Sequence, residues 1–267
     1  MIDKILCEII ERDCTSKEVA VLLSGGVDST SLAFAAHRLG KRVAAYTFHI
    51  AGYDSYDSLQ AKKTAQTFGW SICDVEVPVD RIEEDFQRLA SEYECKKKTH
   101  FECTFPFLYV YPEIQQSVVL SGVAADGHYG VSKKACIHYK EPKSLFDEFR
   151  SDYFEQKNPA GLLQQLLLAS EHNIKLITPY LDEAVVQYFR KYDWYELNKP
   201  YQKHHVREAF SEFENVKIKN HINLQLGAGI DKLFEREVLS SRKLNFNNRI
   251  RIMDICRDWS NKGAELW

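Results

Sequence analysis

Near its start the chain carries an apolar run, a turn of small residues and a helical pattern in direct succession. Val19–Leu23 is continuously apolar, which is typical of a strand buried on both faces. Ser31–Leu39 has helical spacing, and Gly40 provides a natural stop. The turn between them, Ser24–Thr30, reads Ser-Gly-Gly-Val-Asp-Ser-Thr. A strand that leads directly into a helix is the unit of parallel sheets, so this succession constrains the fold strongly.

The same alternation continues through the first half of the chain. Further strand patterns lie at Val43–Ile50, Ile72–Val77 and Ser117–Leu120. Helical patterns flank them at 2–12, 59–68, 82–93 and 106–116, and from about residue 144 they stand alone, at 145–154, 162–172, 183–192, 204–213 and 230–237. We therefore predict an α/β fold, a doubly wound parallel sheet with a helical C-terminal layer. Such sheets bind ligands at the carboxyl ends of their strands.

The composition is that of an ordinary globular protein. The chain carries a net charge of −3 and is 45% hydrophobic, so no basic excess favours nucleic acid as a partner, although nucleic acid is not excluded. The seven cysteines form no Cys-x-x-Cys pair, which argues against a zinc ribbon and favours reduced thiols in the cytoplasm. No apolar run approaches the ~20 residues of a membrane span, and we expect no secretory signal.

The turn Ser24–Thr30 has the chemistry of an anion site. Gly25 and Gly26 let the backbone approach an anion, and N–H groups at the start of the helix point towards it. Asp28 would repel a phosphate unless a cation such as Mg²⁺ lies between the two. The alternative is an ordinary glycine turn in which Asp28 caps the helix. Further hydrogen bonds can come from the hydroxyl groups of Ser24, Ser29 and Thr30.

This turn resembles the pyrophosphate loop of the N-type ATP pyrophosphatases, the superfamily that includes asparagine synthetase. The resemblance implies an adenine nucleotide alpha-hydrolase-like (HUP-type) fold. It also implies that ATP is cleaved to AMP and pyrophosphate, with the loop holding the pyrophosphate end. By the same resemblance, the backbone near Phe48 and Ile50 is expected to meet the adenine.

Residues 121–130, SGVAADGHYG, are similar to a second segment of asparagine synthetase. The resemblance assigns Ser121 and Gly122 to the nucleotide. It assigns Asp126, together with Asp28, to Mg²⁺. An ordinary turn at the end of a strand is the alternative.

Residues 202–210, QKHHVREAF, resemble the Lys-x-x-x-Arg helix of the same family. Lys203 and Arg207 are four residues apart, so we expect both side chains to project from one helical face. The resemblance implies that Lys203 stabilises charge at the α-phosphate and that Arg207 assists. A solvated charged face is the alternative.

Two weaker matches extend the resemblance over residues 17–240. The segment 177–189 contains the family's Pro-Tyr-Leu-Asp, although Asp182 is placed mainly as a helix cap. The segment 219–237 resembles a glycine-containing loop, for which an ordinary turn is the alternative. We expect an N-terminal helix over 1–16 to precede the synthetase-like domain and a helical extension to follow it over 241–267.

Departures from the family pattern concern the acceptor substrate. Val123 and Gly127 stand where the family has glutamates, so aspartate is a doubtful acceptor, and a different carboxylate or another activated oxygen is favoured. His100 and Glu102 are candidates to bind the acceptor in place of these glutamates, because an extended strand would place both side chains on one side. The alternative is that both are surface residues with no role in the site. His128 and Tyr129, beside Asp126, are further candidates.

These patterns favour an ATP-dependent, AMP-forming synthetase that joins a small-molecule carboxylate to ammonia or an amine. A glutaminase domain has no room before the loop, so we expect free ammonia, an amine, or a separate ammonia-supplying or carrier partner. One alternative is a nucleobase- or tRNA-modifying pyrophosphatase that inserts nitrogen, with weak support from the basic stretch 240–252. The other is a non-catalytic nucleotide-binding protein.

Overall fold

A parallel sheet lies at the centre of the residues that the computed structural model describes, which are 1–131, 142–156, 158–218 and 224–233. Within them the strands are β1 (Glu18–Leu22), β2 (Arg42–Ile50), β3 (Ser71–Val77), β4 (Val118–Leu120) and β5 (Lys175–Ile177). Their order is β3-β2-β1-β4-β5, and every neighbouring pair is parallel. The predicted α/β fold with a doubly wound parallel sheet is confirmed.

Helices cover both faces of this sheet. The described α-helices are α1 (Ile2–Asp13), α2 (Val27–Arg38), α3 (Tyr56–Phe68), α4 (Ile82–Glu92), α5 (Lys98–Thr104), α6 (Phe107–Val110), α7 (Ala125–Tyr129), α8 (Lys143–Phe154), α9 (Leu162–Glu171), α10 (Glu183–Arg190), α11 (Trp194–Asn198), α12 (His204–Ala209), α13 (Leu224–Gly227) and α14 (Ile230–Leu233). Along β1, Val19 and Val21 belong to the core with α1, α2 and α10, whereas Ala20 belongs to the core with α4, α5 and α9. Alternate residues of the strand therefore serve opposite helical layers.

The strand order reverses between β1 and β4. From β1 the chain continues to β2 and β3 on one side, and β4 and β5 lie on the other. Leu22 pairs with Tyr46 of β2, and Val21 pairs with Leu120 of β4, so β1 is central. The connections that follow β1 and β4 diverge, which opens a crevice at the carboxyl ends of the strands.

Several predicted boundaries were wrong for identifiable reasons. Helix α2 begins at Val27 rather than Ser31, because the polar residues of its first turn carry no apolar periodicity. The helical layer contains a strand, β5, whose three residues are too few to show a pattern. The helix expected over 106–116 ends at Val110, and a 3-10 turn that contains a proline follows it. The helix expected over 204–213 ends at Ala209.

Some predictions lie outside the described residues. These include the helical extension over 241–267, the part of the helix 230–237 beyond Leu233 and the first half of the glycine-containing loop at 219–223. In the part of the chain that the structure covers, no helix combines the length and the apolar character that crossing a membrane requires.

Candidate active site

A cavity of about 300 Å³ opens in the crevice between β1 and β4. One part of its lining is the loop after β1 with the start of α2, and another part is the loop after β4. The start of α3 and side chains from α5, α8 and α9 close the sides, and Lys203 reaches in from the residue before α12. The cavity therefore lies where a doubly wound sheet binds its ligand.

The loop after β1 depends on a glycine at position 25. Gly25 has a φ of +70°, and a Cβ there would lie 2.7 Å from Gln60 Cγ and 2.8 Å from Ala61 N, both in α3. Within the loop, Gly26 N donates a hydrogen bond to Ser24 Oγ (3.2 Å), and Ser24 N donates one to Ser29 Oγ (3.1 Å). These bonds fix the loop so that the N-terminus of α2 faces the cavity, where its dipole favours an anion.

The loop after β4 packs directly against the start of α2. A Cβ on Gly122 would lie 3.2 Å from Asp28 Cβ and 3.2 Å from Ser29 N. Ala124 takes a φ of +67°, a conformation that residues other than glycine adopt rarely. This turn starts α7, whose first turn contains Asp126, another residue of the cavity lining.

Lys203 joins the two acidic residues. Its Nζ donates hydrogen bonds to Asp28 Oδ2 (2.5 Å) and Asp126 Oδ1 (2.6 Å) and lies 4.9 Å from the centre of the Tyr129 ring. The side chain is buried, which disfavours its charge, but the two carboxylates outweigh this burial and raise the pKa of Lys203. Lys203 also has a φ of +59°, so a rarely used backbone conformation aims this ammonium group into the cavity.

Asp28 and Asp126 are the residues that could hold Mg²⁺. Their carboxylates converge on one point, at which the Lys203 ammonium lies in this structure. Among the described residues, no group of three or more histidine, cysteine, aspartate or glutamate side chains could hold a metal ion. Mg²⁺ usually binds through one or two carboxylates together with substrate phosphates and water, and this pair fits that pattern.

A second, smaller cavity of about 50 Å³ adjoins the first and contains one of the two residues predicted near adenine. Phe48 lines it, with its ring edge-on to Phe107 at 5.6 Å. Ile50 does not reach either described cavity and is fully buried in the core. The two cavities share Leu22, Ser24, Asp57, Phe107 and Leu224, so a ligand could extend from the loop after β1 to Phe48.

Two residues predicted to act with the loop lie elsewhere. Thr30 is fully buried, and its Oγ1 has no hydrogen-bond partner among the described residues. Arg207 is not among the residues that line the cavity, because its guanidinium lies 4.3 Å from the centre of the Tyr201 ring. The expectation that Lys203 and Arg207 share a helical face was wrong, since α12 begins only after Lys203.

The four predicted acceptor residues are also absent from the described lining of the cavity. Residues 98–104 form the helix α5 rather than a strand, so His100 and Glu102 do not lie on one side, and Glu102 is buried. His128 lies between the rings of Phe154 and Phe189, at 4.4 and 4.6 Å. Its burial lowers the pKa of His128 to about 3, and its Nε2 donates a hydrogen bond to the Tyr180 carbonyl (2.7 Å).

The model of the asparagine synthase family matches residues 3–167, which is more than half of the chain. The chain belongs to the asparagine synthase family. Both loops of the cavity and Asp126 lie inside the matched range, whereas Lys203 lies beyond it. A search of curated proteins finds no match to the chain.

A separate comparison with solved structures finds three that are similar to the chain at low sequence identity. A predicted subunit of tRNA methyltransferase from Methanocaldococcus jannaschii is 18% identical, with 65% of this chain and 75% of that chain covered and a TM-score of 0.37. NMN synthetase from Francisella tularensis is 14% identical, with 83% and 97% covered and a TM-score of 0.37. The U34-tRNA thiolase NcsA from Methanococcus maripaludis is 15% identical, with 94% and 78% covered and a TM-score of 0.33. At these scores the likeness carries no inference about activity.

This asparagine synthase family member has cavity residues that the sequence patterns did not reveal. They come from helices outside the two loops and include Tyr56, Cys103, Tyr153 and Gln165. Only Tyr153 has a related sequence signal, and it lies far along the chain: Gly127 stands where the family motif has a larger residue, and Tyr153 packs against it.

Proposed function

We propose that the protein is an ATP-dependent synthetase that adenylates a substrate carboxylate, releases pyrophosphate and passes the acyl group to ammonia or an amine with release of AMP. The observation that carries this proposal is the convergence of three groups in one cavity. These are the N-terminus of α2, the paired carboxylates of Asp28 and Asp126, and the buried ammonium of Lys203. Membership of the asparagine synthase family supports the same reaction class.

The loop Ser24–Ser29 is suited to binding the pyrophosphate part of ATP. The start of α2 presents N–H groups and the positive end of its dipole, and the Ser24 and Ser29 hydroxyls lie in the same loop. The adjoining cavity at Phe48 is apolar and suits the adenine. ATP bound in this way would place its α-phosphate between the loop and Lys203.

In the first step, an oxygen of the carboxylate forms a bond to the α-phosphorus. The bond from that phosphorus to the oxygen bridging to the β-phosphate breaks, and pyrophosphate leaves with the electron pair. Negative charge is redistributed over the phosphoryl oxygens, so a fixed cation nearby lowers the barrier. Among the described residues that line the cavity, Lys203 is the one cation and is suited to this role.

When bound, Mg²⁺ supplies further charge neutralisation on the polyphosphate, and Asp28 and Asp126 are the residues that would hold it. In the second step, ammonia or an amine forms a bond to the acyl carbon and loses a proton, and AMP leaves. Exclusion of water protects the acyl adenylate from hydrolysis, and the walls from α5, α8 and α9 contribute to that exclusion.

Exchange of radiolabelled pyrophosphate into ATP tests the first step. The purified chain is incubated with ATP, Mg²⁺ and a panel of carboxylic acids, and the products are then identified by mass spectrometry after addition of ammonia or amines. We expect exchange that requires an acid, and a loss of about 10²–10³-fold in Lys203→Ala. Lys191→Ala, which removes an exposed cation, is the matched control.

Other results would point away from this function. Pyrophosphate release that requires an RNA or a nucleobase, and no carboxylic acid, would favour the nitrogen-inserting alternative. Binding of ATP with no exchange under any condition would favour a non-catalytic nucleotide-binding protein. Equal exchange rates in Lys203→Ala and in the control would remove Lys203 from the mechanism.

A further inference from the structure

Tyr153 occupies the space into which a side chain at position 127 would project. A Cβ on Gly127, in α7, would overlap the ring of Tyr153, which is carried by α8. The same ring lines the main cavity and lies edge-on to Phe154 at 5.1 Å. The close packing on Gly127 therefore fixes an aromatic ring in the wall of the cavity.

Three further neutral side chains line the same cavity, from the loop after β4, α5 and α9. We define the acceptor wall as Cys103, Val123, Tyr153 and Gln165. Gln165 Oε1 accepts a hydrogen bond from Tyr111 Oη (2.9 Å), which leaves its amide N–H groups as donors. Burial, with the nearby Asp126 and Cys103, raises the pKa of Tyr153, so its phenol stays neutral.

The charged residues that line the cavity either pair with one another or lie on the side of the smaller cavity. Asp28 and Asp126 share the Lys203 ammonium. Asp57 also lines the smaller cavity and so belongs to the side on which Phe48 lies. Among the described residues, the acceptor wall thus offers an apolar surface, a ring and an amide, with no charged group of its own.

We infer that the acceptor wall binds the body of the acid that is activated and selects a monocarboxylate with an uncharged, apolar or aromatic body over an amino acid. This inference rests on the proposed function and adds the class of acid to it. An ammonium group placed against the acceptor wall would lose hydration, and the carboxylate near Tyr153, that of Asp126, already pairs with the Lys203 ammonium. An aromatic or branched apolar body instead gains contact with the Tyr153 ring and the Val123 side chain.

Pairs of acids that differ only in an α-amino group test the inference. The intact chain is assayed for acid-dependent pyrophosphate exchange with 3-phenylpropanoate against phenylalanine, 4-methylpentanoate against leucine, and succinate against aspartate. We expect the first two des-amino acids to exceed their amino acids by about tenfold or more in kcat/KM and to exceed succinate as well. A preference for phenylalanine, leucine or aspartate would overturn the inference.

Variants in the acceptor wall sharpen the test. Tyr153→Ser should raise the KM for 3-phenylpropanoate by about tenfold and leave the KM for ATP unchanged. Val123→Glu should weaken the binding of 3-phenylpropanoate and strengthen the binding of phenylalanine, because it adds a carboxylate that can pair with the ammonium group of the amino acid. Glu148→Gln changes an exposed residue of the same helix as Tyr153 and is the control. Unchanged selectivity in both wall variants would contradict the assignment.

Calorimetric binding of the same acid pairs separates this inference from the proposed function. If 3-phenylpropanoate binds better than phenylalanine and Tyr153→Ser weakens the binding of 3-phenylpropanoate, the acceptor wall is supported even where no acid is activated, and only the synthetase function fails. If neither acid binds and neither is activated, the inference is overturned. If acids are activated without regard to the α-amino group, the synthetase function stands and the inference fails.

Discussion

The ammonium group of Lys203 lies 2.5 Å from a carboxylate oxygen of Asp28, although 175 residues separate the two along the chain. Asp126 accepts a second hydrogen bond from the same ammonium group. Helices α2, α7 and α12 are thereby connected at one point. Because the lysine cation offsets the repulsion between the two carboxylates, a divalent cation that binds both of them must compete with it.

Removal of the Lys203 charge should therefore make the fold respond to Mg²⁺. In Lys203→Ala, Asp28 and Asp126 face each other without a cation, and we expect the free energy of unfolding to fall by about 2–4 kcal/mol. The lower end is favoured because the Asp126 side chain is 43% exposed and partly solvated. Millimolar Mg²⁺ should raise the Tm of this variant more than that of the wild type, as measured by thermal denaturation with and without the metal.

Lys191→Ala provides the comparison for this experiment, since it removes an exposed lysine. Its response to Mg²⁺ should equal that of the wild type. If Lys203→Ala and Lys191→Ala respond equally, the two carboxylates do not form a divalent-cation site.

Gly25 should tolerate alanine less well than another glycine of the same backbone conformation. Gly25 and Gly40 both have a φ of +70°, so alanine is strained by about 1 kcal/mol at either position. A Cβ at Gly40 meets nothing within 4 Å, whereas one at Gly25 would press on Gln60 and Ala61. Urea denaturation should show a greater loss of stability in Gly25→Ala than in Gly40→Ala, and only Gly25→Ala should weaken ATP binding. Equal losses would mean that α3 moves aside without cost.

The position of the loop after β1 could be predicted from the sequence because it depends on neighbouring residues. An apolar run, two glycines and a helical pattern determine β1, the loop and α2. In the structure β1 lies one residue earlier than predicted, at Glu18–Leu22, and α2 starts earlier, at Val27. β5 could not be predicted in the same way, because its three residues form a strand only by pairing with β4.

The rest of the site depends on contacts between distant segments, which local patterns do not reveal. The spacing of Lys203 and Arg207 suggested that they act together from one face of a helix. The left-handed backbone conformation of Lys203 places this residue outside the helix, so the two side chains do not share a helical face. Likewise, His128 lies beside Asp126 in sequence, yet its ring packs between Phe154 and Phe189 in the core. Tyr153 enters the cavity because α8 packs on Gly127, and nothing in the sequence near Tyr153 signals this.

Helix α8 should lose its attachment when Arg150 is replaced. The buried guanidinium donates hydrogen bonds to the carbonyl groups of Phe189 (2.7 Å) and Tyr192 (3.1 Å) and pairs with Asp147. Arg150→Met keeps much of the volume but leaves these acceptors unpaired, so we expect the free energy of unfolding to fall by about 2–4 kcal/mol in urea denaturation. Arg81→Met, at an exposed pair with Glu84, should change it by less than about 1 kcal/mol. Similar losses in both variants would show that Arg150 is not an anchor of α8.

Acid should weaken the attachment of the turn after α12 through Glu212. Arg38 donates two hydrogen bonds to the Glu212 carboxylate, at 2.6 and 2.7 Å. Burial of Glu212 disfavours its charge, but Arg38 outweighs this burial and holds the pKa of Glu212 below its ordinary value of 4.5. Because the native pKa is lowered, this stabilisation is present above pH 4.5 and is lost as the pH falls below it. The free energy of unfolding should therefore fall more steeply below pH 4.5 in the wild type than in Glu212→Gln. Glu214→Gln, which removes an exposed carboxylate from the same turn, should keep the wild-type slope, and a wild-type slope in Glu212→Gln would exclude this pair as the cause.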